Sequence, residues 1–248
     1  MSVTELGAVL FDMDGLLVDS EPTWFSVERD VFARLGAGRE WTPADAARMV
    51  GQALEVSAAE ILHCADADPT ATSVEEVAGW LVEGMVARMG AGAPWKPGAL
   101  ALIDELGQHG VPAALVSSSH RRLVDVVLGQ LPSGAMAASV AGDEVSHTKP
   151  HPAPYLRALH LLEVRAEEAV VLEDSPTGAR SGHSAGCTVV VVPDLAPMPA
   201  EHAWHEVESL AALDVTRLVS LLGGDGREDV EVGRATRWKD GREHPHQG

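Results

Sequence analysis

The sequence is poor in aromatic residues, in cysteine and in positive charge. Aromatic residues make up 4% of the 248 residues although hydrophobic residues reach 46%, so we expect an interior of Ala, Val and Leu, as in helix-on-sheet layers. The two cysteines, Cys64 and Cys187, form no Cys-x-x-Cys pair, which excludes a disulfide framework and a cysteine zinc site. We expect Cys187 to be a small core residue and the protein to occupy the reducing cytoplasm.

Acidic residues outnumber basic ones, 37 to 18, and give a net charge of -19. Such a charge repels nucleic-acid phosphates and anionic membrane surfaces, so we expect neither nucleic acid nor a membrane as a partner. No apolar stretch reaches the length of a membrane span. Residues 1–15 lack the basic segment that begins a signal peptide.

Short apolar runs alternate with helix-compatible stretches along most of the chain. Strands are predicted at residues 7–11, 113–116, 169–172 and 188–192, with a weaker candidate at 137–141. Helices are predicted at residues 99–109 and 153–162. Continuous apolar strands that alternate with helices indicate an α/β fold, a Rossmann-like parallel sheet with helices on both faces.

Residues 21–94 follow a different pattern, because their apolar residues recur at helical spacing and no strand-like run interrupts them. We expect a small all-helical cap inserted after the first strand, with hinges at residues 19–22 and 90–98. There it would cover the carboxyl end of the strand, where open parallel sheets bind ligands. The expected divisions are a core of residues 1–20 and 95–222, the cap at 21–94, and a disordered tail at 223–248.

Two carboxylates end the first apolar run, in the order Asp12, Met13, Asp14, Gly15. Carboxylates so placed can share a hard cation, and oxygen ligands with open water positions suit Mg²⁺. Once a metal neutralises a phosphate group, one carboxylate can attack phosphorus and the other can protonate the leaving oxygen. A merely acidic turn explains the pair about equally well when the pair is taken alone.

A hydroxyl loop and a lysine follow further along. Ser117, Ser118 and Ser119 come directly after an apolar run and before a helix-compatible stretch. Their hydroxyl and backbone N–H groups can bind an anion, although serines there also simply cap helices. Lys149 can hold a phosphate as a point charge or lie solvated in a loop.

A second acidic pair, Glu173 and Asp174, ends another apolar run. These carboxylates can also reach a metal at the sheet edge. The alternative is purely structural, because Asp174 or Ser175 followed by Pro176 fits a helix N-cap with proline at the first helical position.

The four motifs, in this order, resemble the haloacid dehalogenase superfamily. Its members have Asp-x-Asp at the first strand, Ser or Thr after a second, Lys before a helix and an acidic pair after a later strand. The matching residues here are Asp12 and Asp14, Ser117, Lys149, and Glu173 and Asp174. The match spans residues 8–222. The helical cap and the run FDMDGLLVDSEPTW are similar to the beta-phosphoglucomutase-like subgroup, especially its hexitol and 2-deoxyglucose 6-phosphate type phosphatases.

The resemblance implies a Mg²⁺-dependent phosphatase of small phosphomonoesters, most closely a sugar or polyol phosphate. Asp12 would attack phosphorus and form an aspartyl phosphate. Asp14 would protonate the leaving alcohol and then activate water. The expected partner is a small phosphorylated metabolite, and a monomer is compatible with this role.

The same resemblance implies a metal site and a phosphate site. Mg²⁺ would be held by the Asp12 side chain, the Asp14 backbone carbonyl and Asp174, with Glu173 in support. The transferring phosphoryl group would be oriented by Ser117 and Lys149, assisted by Ser118 and Ser119.

Two alternatives to a phosphatase remain. A phosphomutase of this subgroup uses the same covalent chemistry. Its members carry a histidine at the position where this chain has Trp24. They also carry an arginine in the cap, whereas the corresponding residues 51–57 of this chain include no basic side chain. Both absences favour hydrolysis of a monophosphate. The other alternative, a non-catalytic binding module, is disfavoured by the complete set of charged motif residues, since such a module has no need of clustered like charges.

Two further patterns receive no catalytic role. Residues 182–186 fit Gly-x-Ser-x-Gly, but a serine-hydrolase elbow needs a strand before the serine and a helix after it, and the expected order here is the reverse. We expect a helix end there, with Gly186 in a C-cap role. The 11 histidines show no spacing typical of a structural metal site.

Overall fold

The fold is built on a parallel sheet, seen in a computed structural model that describes residues 6–49, 52–68, 70–194, 198–199 and 204–222. The predicted tail at residues 223–248 lies outside the described residues. The strands are β1 (Ala8–Phe11), β2 (Ala113–Val116), β3 (Ala138–Val140), β4 (Ala169–Glu173), β5 (Thr188–Val191) and β6 (His205–Glu206). They form one sheet in the order β3-β2-β1-β4-β5-β6, and every pairing is parallel.

Helices lie between the successive strands from β1 to β5, except that the last helix follows β6. They are α1 (Glu21–Arg34), α2 (Pro43–Ala46), α3 (Leu54–Cys64), α4 (Val74–Gly90), α5 (Ala99–Gln108), α6 (Arg121–Leu128), α7 (Ala153–Leu162), α8 (Pro176–Ser184) and α9 (Val215–Leu221). Single turns of 3₁₀ helix occupy Gly142–Glu144, Ala166–Glu168 and Leu210–Ala212. None of the helices in the described ranges combines the length and the apolar character needed to cross a membrane.

The predicted α/β fold is confirmed, and its five predicted strands lie within one residue of their expected bounds. The sixth strand, β6, and the last helix, α9, were not predicted. Strand β6 has only two residues, both polar, and pairs at the sheet edge with β5. An edge strand this short leaves no apolar run in the sequence to mark it.

The sheet has a hydrophobic core on each face, because successive strand residues point to opposite sides. Phe11 and Leu172 belong to one core, which continues into α5, α6 and the helices after β1. Leu10 and Val171 belong to the other, which is closed by Tyr155 of α7 and by α8. This arrangement explains why the strands read as continuous apolar runs rather than alternating ones.

Helices α1 to α4 and their connections, residues 21–90, are called the helical insert below. Its longest helix, α4, packs against α1 and α3. Ser73 caps α4 through a reciprocal pair of hydrogen bonds with Glu76, which fixes where that helix begins. The two segments that join the insert to the sheet lie side by side, because the Asp19 N–H donates a hydrogen bond to the Pro94 carbonyl over 2.8 Å.

Candidate active site

The acidic and hydroxyl motif residues lie at the carboxyl ends of three neighbouring strands, β1, β2 and β4. Asp12 follows β1, the central strand, and its N–H donates to the carbonyl of Leu172 in β4 over 3.0 Å. Ser117 follows β2, and its N–H donates to the carbonyl of Val140 in β3 over 3.0 Å. The strand order reverses direction at β1, so this is the carboxyl edge where an open α/β sheet binds ligands.

The turn after β1 depends on glycine. Gly15 has φ +84°, a left-handed conformation that a residue with a Cβ adopts at a cost. A Cβ added there would also collide with the Asp174 carboxylate. Gly15 therefore lets the first and second acidic pairs approach each other.

Asp12, Glu173 and Asp174 form a compact acidic group, in which one oxygen of each lies within 4.8 Å of the others. Lys149 lies beside it, with a side chain only 5% exposed. Its ammonium group donates to Asp12 Oδ1, to Glu173 Oε1 over 2.7 Å and to the Val116 carbonyl over 2.8 Å. Lys149 is thus a buried cation between two carboxylates rather than a solvated loop lysine.

Three carboxylates share one buried lysine in this group. Burial raises the pKa of Asp12 to about 8, Lys149 opposes the rise and Glu173 adds to it. Burial, with Asp12 and Glu173 as neighbours, also raises the pKa of Asp174. Burial alone would lower the pKa of Lys149, but the two carboxylates hold it above its usual range. An oxygen-only set of carboxylates with one lysine fits a hard divalent ion, which favours their ionised forms.

Glu173 is held by donors on both of its oxygens. Oε1 accepts from Lys149 and, over 2.6 Å, from the Tyr155 hydroxyl, while Oε2 accepts from the Asp174 N–H over 3.2 Å. Burial and the nearby carboxylates raise the pKa of Tyr155, which keeps the hydroxyl a donor. Because both oxygens already accept hydrogen bonds, Glu173 is better placed to hold Lys149 and to orient its neighbours than to bind a metal directly. Sequence reasoning missed Tyr155, the single tyrosine of the chain.

The structure separates the two roles that the second acidic pair left open. Ser175 is the N-cap of α8, its hydroxyl accepts from the Gly178 N–H over 3.1 Å, and Pro176 is the first helical residue. Asp174 is therefore not the cap and faces the acidic group instead.

Gly178 leaves room for the Glu173 carboxylate, with which a Cβ at this position would collide. We expect Gly178→Ala to destabilise the protein by about 1–3 kcal/mol, because the clash is with a buried, fully bonded side chain. Gly79→Ala is the matched control, since Gly79 lies in α4 with nothing within 4 Å of the added Cβ. That change should stabilise by about 1 kcal/mol or less. Chemical denaturation measures both; equal effects of the two changes would contradict the expected clash.

Asp14 is positioned by hydroxyl groups rather than by the acidic group. Its Oδ1 accepts from Ser20 over 2.7 Å, and its Oδ2 accepts from Ser119 over 2.7 Å and from Ser117 over 3.4 Å. The Ser119 N–H in turn donates to Ser117 Oγ over 2.9 Å, which orders the hydroxyl loop. Sequence reasoning missed Ser20, because its position just before α1 suggested only a hinge.

A cavity of about 280 Å³ lies between this edge of the sheet and the helical insert. The predicted residues that line it are Asp12, Asp14, Ser117, Ser118, Ser119, Lys149 and Asp174. Glu173 lies behind them, 1% exposed. The helical insert contributes, among others, Glu21, Trp24 and Glu28 to the opposite wall.

The two patterns set aside in the sequence remain outside the site. Residues 182–184 end α8 and β5 follows, so the order is helix then strand, and Gly186 has φ +87° after the helix end. Neither Ser184 nor Cys187 lines the cavity. Cys187 is buried, which raises the pKa of its thiol to about 12 and suits a core residue.

Similarity to proteins of known function agrees with this geometry. Hexitol phosphatase A of Escherichia coli K12 is 32% identical over 189 residues, which cover 74% of this chain and 81% of that protein. Phosphoglycolate phosphatase of Rhodospirillum rubrum is 32% identical over 226 residues, which cover 87% of this chain and 89% of that protein.

Solved structures show the same fold. CbbY from Rhodobacter sphaeroides in complex with phosphate superimposes with a TM-score of 0.74 at 27% identity, covering 83% of this chain and 95% of that one. The sequence model of the haloacid dehalogenase-like hydrolases matches residues 9–192, which include all four motifs. The resemblance inferred from the motifs is confirmed, and the chain belongs to the family of haloacid dehalogenase-like hydrolases.

Proposed function

We propose that this hydrolase is a Mg²⁺-dependent phosphatase of a sugar or polyol monophosphate that works through an aspartyl phosphate on Asp12. The observation that carries the proposal is the group of Asp12, Asp174 and Lys149 at the floor of the cavity, with Glu173 buried behind them. Hydroxyl-bound Asp14 lies beside it. A nucleophile, an acid–base group and a fixed cation thus meet at one place, as phosphoryl transfer requires.

The residues divide the reaction into two steps. An Asp12 carboxylate oxygen forms a bond to phosphorus as the ester P–O bond breaks, and Asp14 gives its proton to the departing alkoxide. In the second step ionised Asp14 takes a proton from water, whose oxygen attacks phosphorus and releases Asp12 and inorganic phosphate. Lys149, with the hydroxyls of Ser117 to Ser119 around the cavity, orients the phosphoryl oxygens.

Asp12 and Asp174, with the Asp14 backbone carbonyl, would hold the ion. When bound, Mg²⁺ supplies the charge neutralisation that lets an anionic ester approach these carboxylates. Glu173 supports this arrangement through Lys149 and through the Asp174 N–H.

Residues 21–94 are proposed to act as the cap of a core formed by residues 1–20 and 95–222. The insert forms the wall of the cavity opposite the motif residues, so it contacts the leaving group rather than the phosphate. A cap in this place excludes bulk water and selects the alcohol part of the ester.

The similarity to hexitol phosphatase A supports a sugar or polyol phosphate as the substrate. Two glycerol-3-phosphatases of Arabidopsis thaliana, which are 29% and 31% identical to this chain, support it as well. A phosphomutase is the alternative. It must hold a second phosphate against the cap, yet the described part of the insert brings no lysine or arginine to the cavity. Free phosphate release from a monophosphate, without a bisphosphate activator, distinguishes the phosphatase from the mutase.

Removing the metal should stop the reaction. We expect phosphate release from sorbitol 6-phosphate to disappear in EDTA and to return with added Mg²⁺, because the unneutralised carboxylates repel the ester. Mg²⁺ should also raise the Tm of the wild type, and raise it less in Asp174→Asn, which loses one ligand.

Asp104→Asn is the matched control for that experiment. Asp104 lies on α5, outside the cavity, and should respond to Mg²⁺ as the wild type does. Undiminished phosphate release in EDTA would rule out the metal-dependent mechanism.

A further inference from the structure

The wall of the cavity that faces the leaving group is acidic and lacks a cation. In the described part of the insert, the charged residues that line the cavity are Glu21, Glu28 and Glu55. Lys149 is the one lysine or arginine in the described lining, and it is already paired with Asp12 and Glu173. The described part of the insert therefore offers a negatively charged group no cationic partner.

The Glu21 carboxylate has no hydrogen bond or ion pair with any described residue, although it lies at the cavity beside buried groups. Two other carboxylates of the cavity are partnered, because Asp14 accepts from hydroxyls and Asp194 accepts from Lys96 over 2.8 Å. Glu21 is half-buried, and burial together with Asp14 and Glu28 raises its pKa to about 7. A half-buried acceptor that faces a cavity is normally satisfied by water or by a donor on a ligand.

Glu28 follows Glu21 by about two turns of α1 and adds a second acidic side chain to the same wall. Its side chain is only 4% exposed, and its Oε2 accepts from Trp41 Nε1 over 3.0 Å. This bond fixes Glu28 against the insert core, so the acidic wall does not depend on an exposed, mobile side chain. Trp24, between the two on α1, gives the wall an apolar surface suited to the carbon skeleton of an alcohol.

We propose that this wall selects phosphomonoesters whose leaving group bears hydroxyl donors and no negative charge, with Glu21 as the specificity-determining residue. A hydroxyl of the leaving alcohol donates to Glu21, whereas a carboxylate or a second phosphate there meets like charge with no cation to offset it. The inference rests on the proposed function and narrows it. The substrate preference that it predicts differs from the substrate named for the similar phosphoglycolate phosphatase, which carries a carboxylate. It differs likewise from the xylulose-(1,5)bisphosphate bound in a CbbY structure, which carries a second phosphate.

Matched pairs of esters test the inference. Sorbitol 6-phosphate and 6-phosphogluconate differ by a terminal hydroxymethyl against a carboxylate, and glycerol 3-phosphate and 3-phosphoglycerate differ in the same way. We expect kcat/KM to be about 100-fold higher for the uncharged member of each pair. Glu21→Gln should lower the ratio of the two kcat/KM values about tenfold, because kcat/KM should fall for the uncharged ester and rise for the charged one.

Glu83→Gln is the control for Glu21→Gln. It removes the same charge from α4 of the insert, but Glu83 is exposed and lies outside the lining of this cavity. The ratio should therefore stay at its wild-type value. An equal change in both variants would show a general charge effect and would overturn the role of Glu21.

The failure of the inference is distinguishable from the failure of the proposed function. Equal hydrolysis of charged and uncharged members overturns the inference and leaves the phosphatase intact. No hydrolysis of any ester with Mg²⁺ overturns the phosphatase. In that case the Kd values of the same pairs for Asp12→Asn, measured by calorimetry, decide the inference, and equal values overturn it.

Discussion

Asp12→Asn should abolish phosphate release, by about 10⁴-fold or more, and leave the protein folded. The carboxamide is no nucleophile for phosphorus, and no other described carboxylate occupies the same place at the end of β1. Asn retains the shape of Asp, and Lys149 retains Glu173 as a buried partner. The Tm should therefore change far less than the activity does.

The measurement is phosphate release by wild type and variant with Mg²⁺, beside thermal unfolding of both. A rapid-quench experiment adds a direct test, because only the wild type should form, from a labelled ester, a phosphoprotein that survives acid and is cleaved by alkali or hydroxylamine, as an acyl phosphate is. An Asp12→Asn variant that turns over at the wild-type rate would overturn the aspartyl-phosphate mechanism. If the variant loses both its activity and its folded state, the phosphoprotein formed by the wild type decides whether an aspartate is the nucleophile.

The position of the site was predictable because the chemistry sits at strand ends. Apolar runs mark β1, β2 and β4, and the polar residues directly after them, such as Asp12 and Ser117, have to emerge at the same edge of a parallel sheet. Order along the chain thus translates into proximity in space. The resemblance to a family added the roles, which the spacing alone left open.

The contacts that tune the site were not predictable in this way. Tyr155 meets Glu173 across 18 residues of sequence, and Ser20 meets Asp14 through a turn whose shape depends on Gly15. Neither pair has a local sequence signature, because the first contact depends on how α7 packs against the sheet and the second on the path of the turn after β1. The choice between Asp174 and Ser175 as the cap of α8 was equally a matter of backbone geometry, since both residue types cap helices.

Charge balance in the cavity also becomes visible only in three dimensions. The sequence shows a net charge of -19 but not where it is concentrated. Folding brings the acidic wall of the insert over the acidic floor of the sheet, and a single buried lysine serves both Asp12 and Glu173. The stability of the site therefore depends on that lysine more than on any other cation of the described chain.

Lys149→Met should lower both activity and stability. Methionine keeps most of the apolar stem but removes the charge, so Asp12 and Glu173 face each other buried and uncompensated. Removing one partner from a buried ion pair costs about 3–5 kcal/mol. Lys96→Met is the matched control, because the Lys96–Asp194 pair is more exposed, about one-fifth on both side chains, and its loss should cost less.

The loss in Lys149→Met should depend on pH. Without the lysine, burial and the neighbouring Glu173 raise the folded-state pKa of Asp12 further above its unfolded value. A raised carboxyl pKa costs stability as the pH rises, because folding then requires a proton that the unfolded chain has released. The Tm difference from wild type should be smaller near about pH 5 than near about pH 8. A difference independent of pH would point to lost packing instead.

The double change Lys149→Met with Asp12→Asn separates the two roles of the lysine. Replacing Asp12 by a neutral amide removes one of the two uncompensated carboxylates, so much of the lost stability should return near about pH 8, while activity stays absent. If Lys149 served only to hold a substrate phosphate, the second change would restore nothing. Recovery of stability without activity therefore assigns Lys149 to the charge balance of the folded site as well as to catalysis.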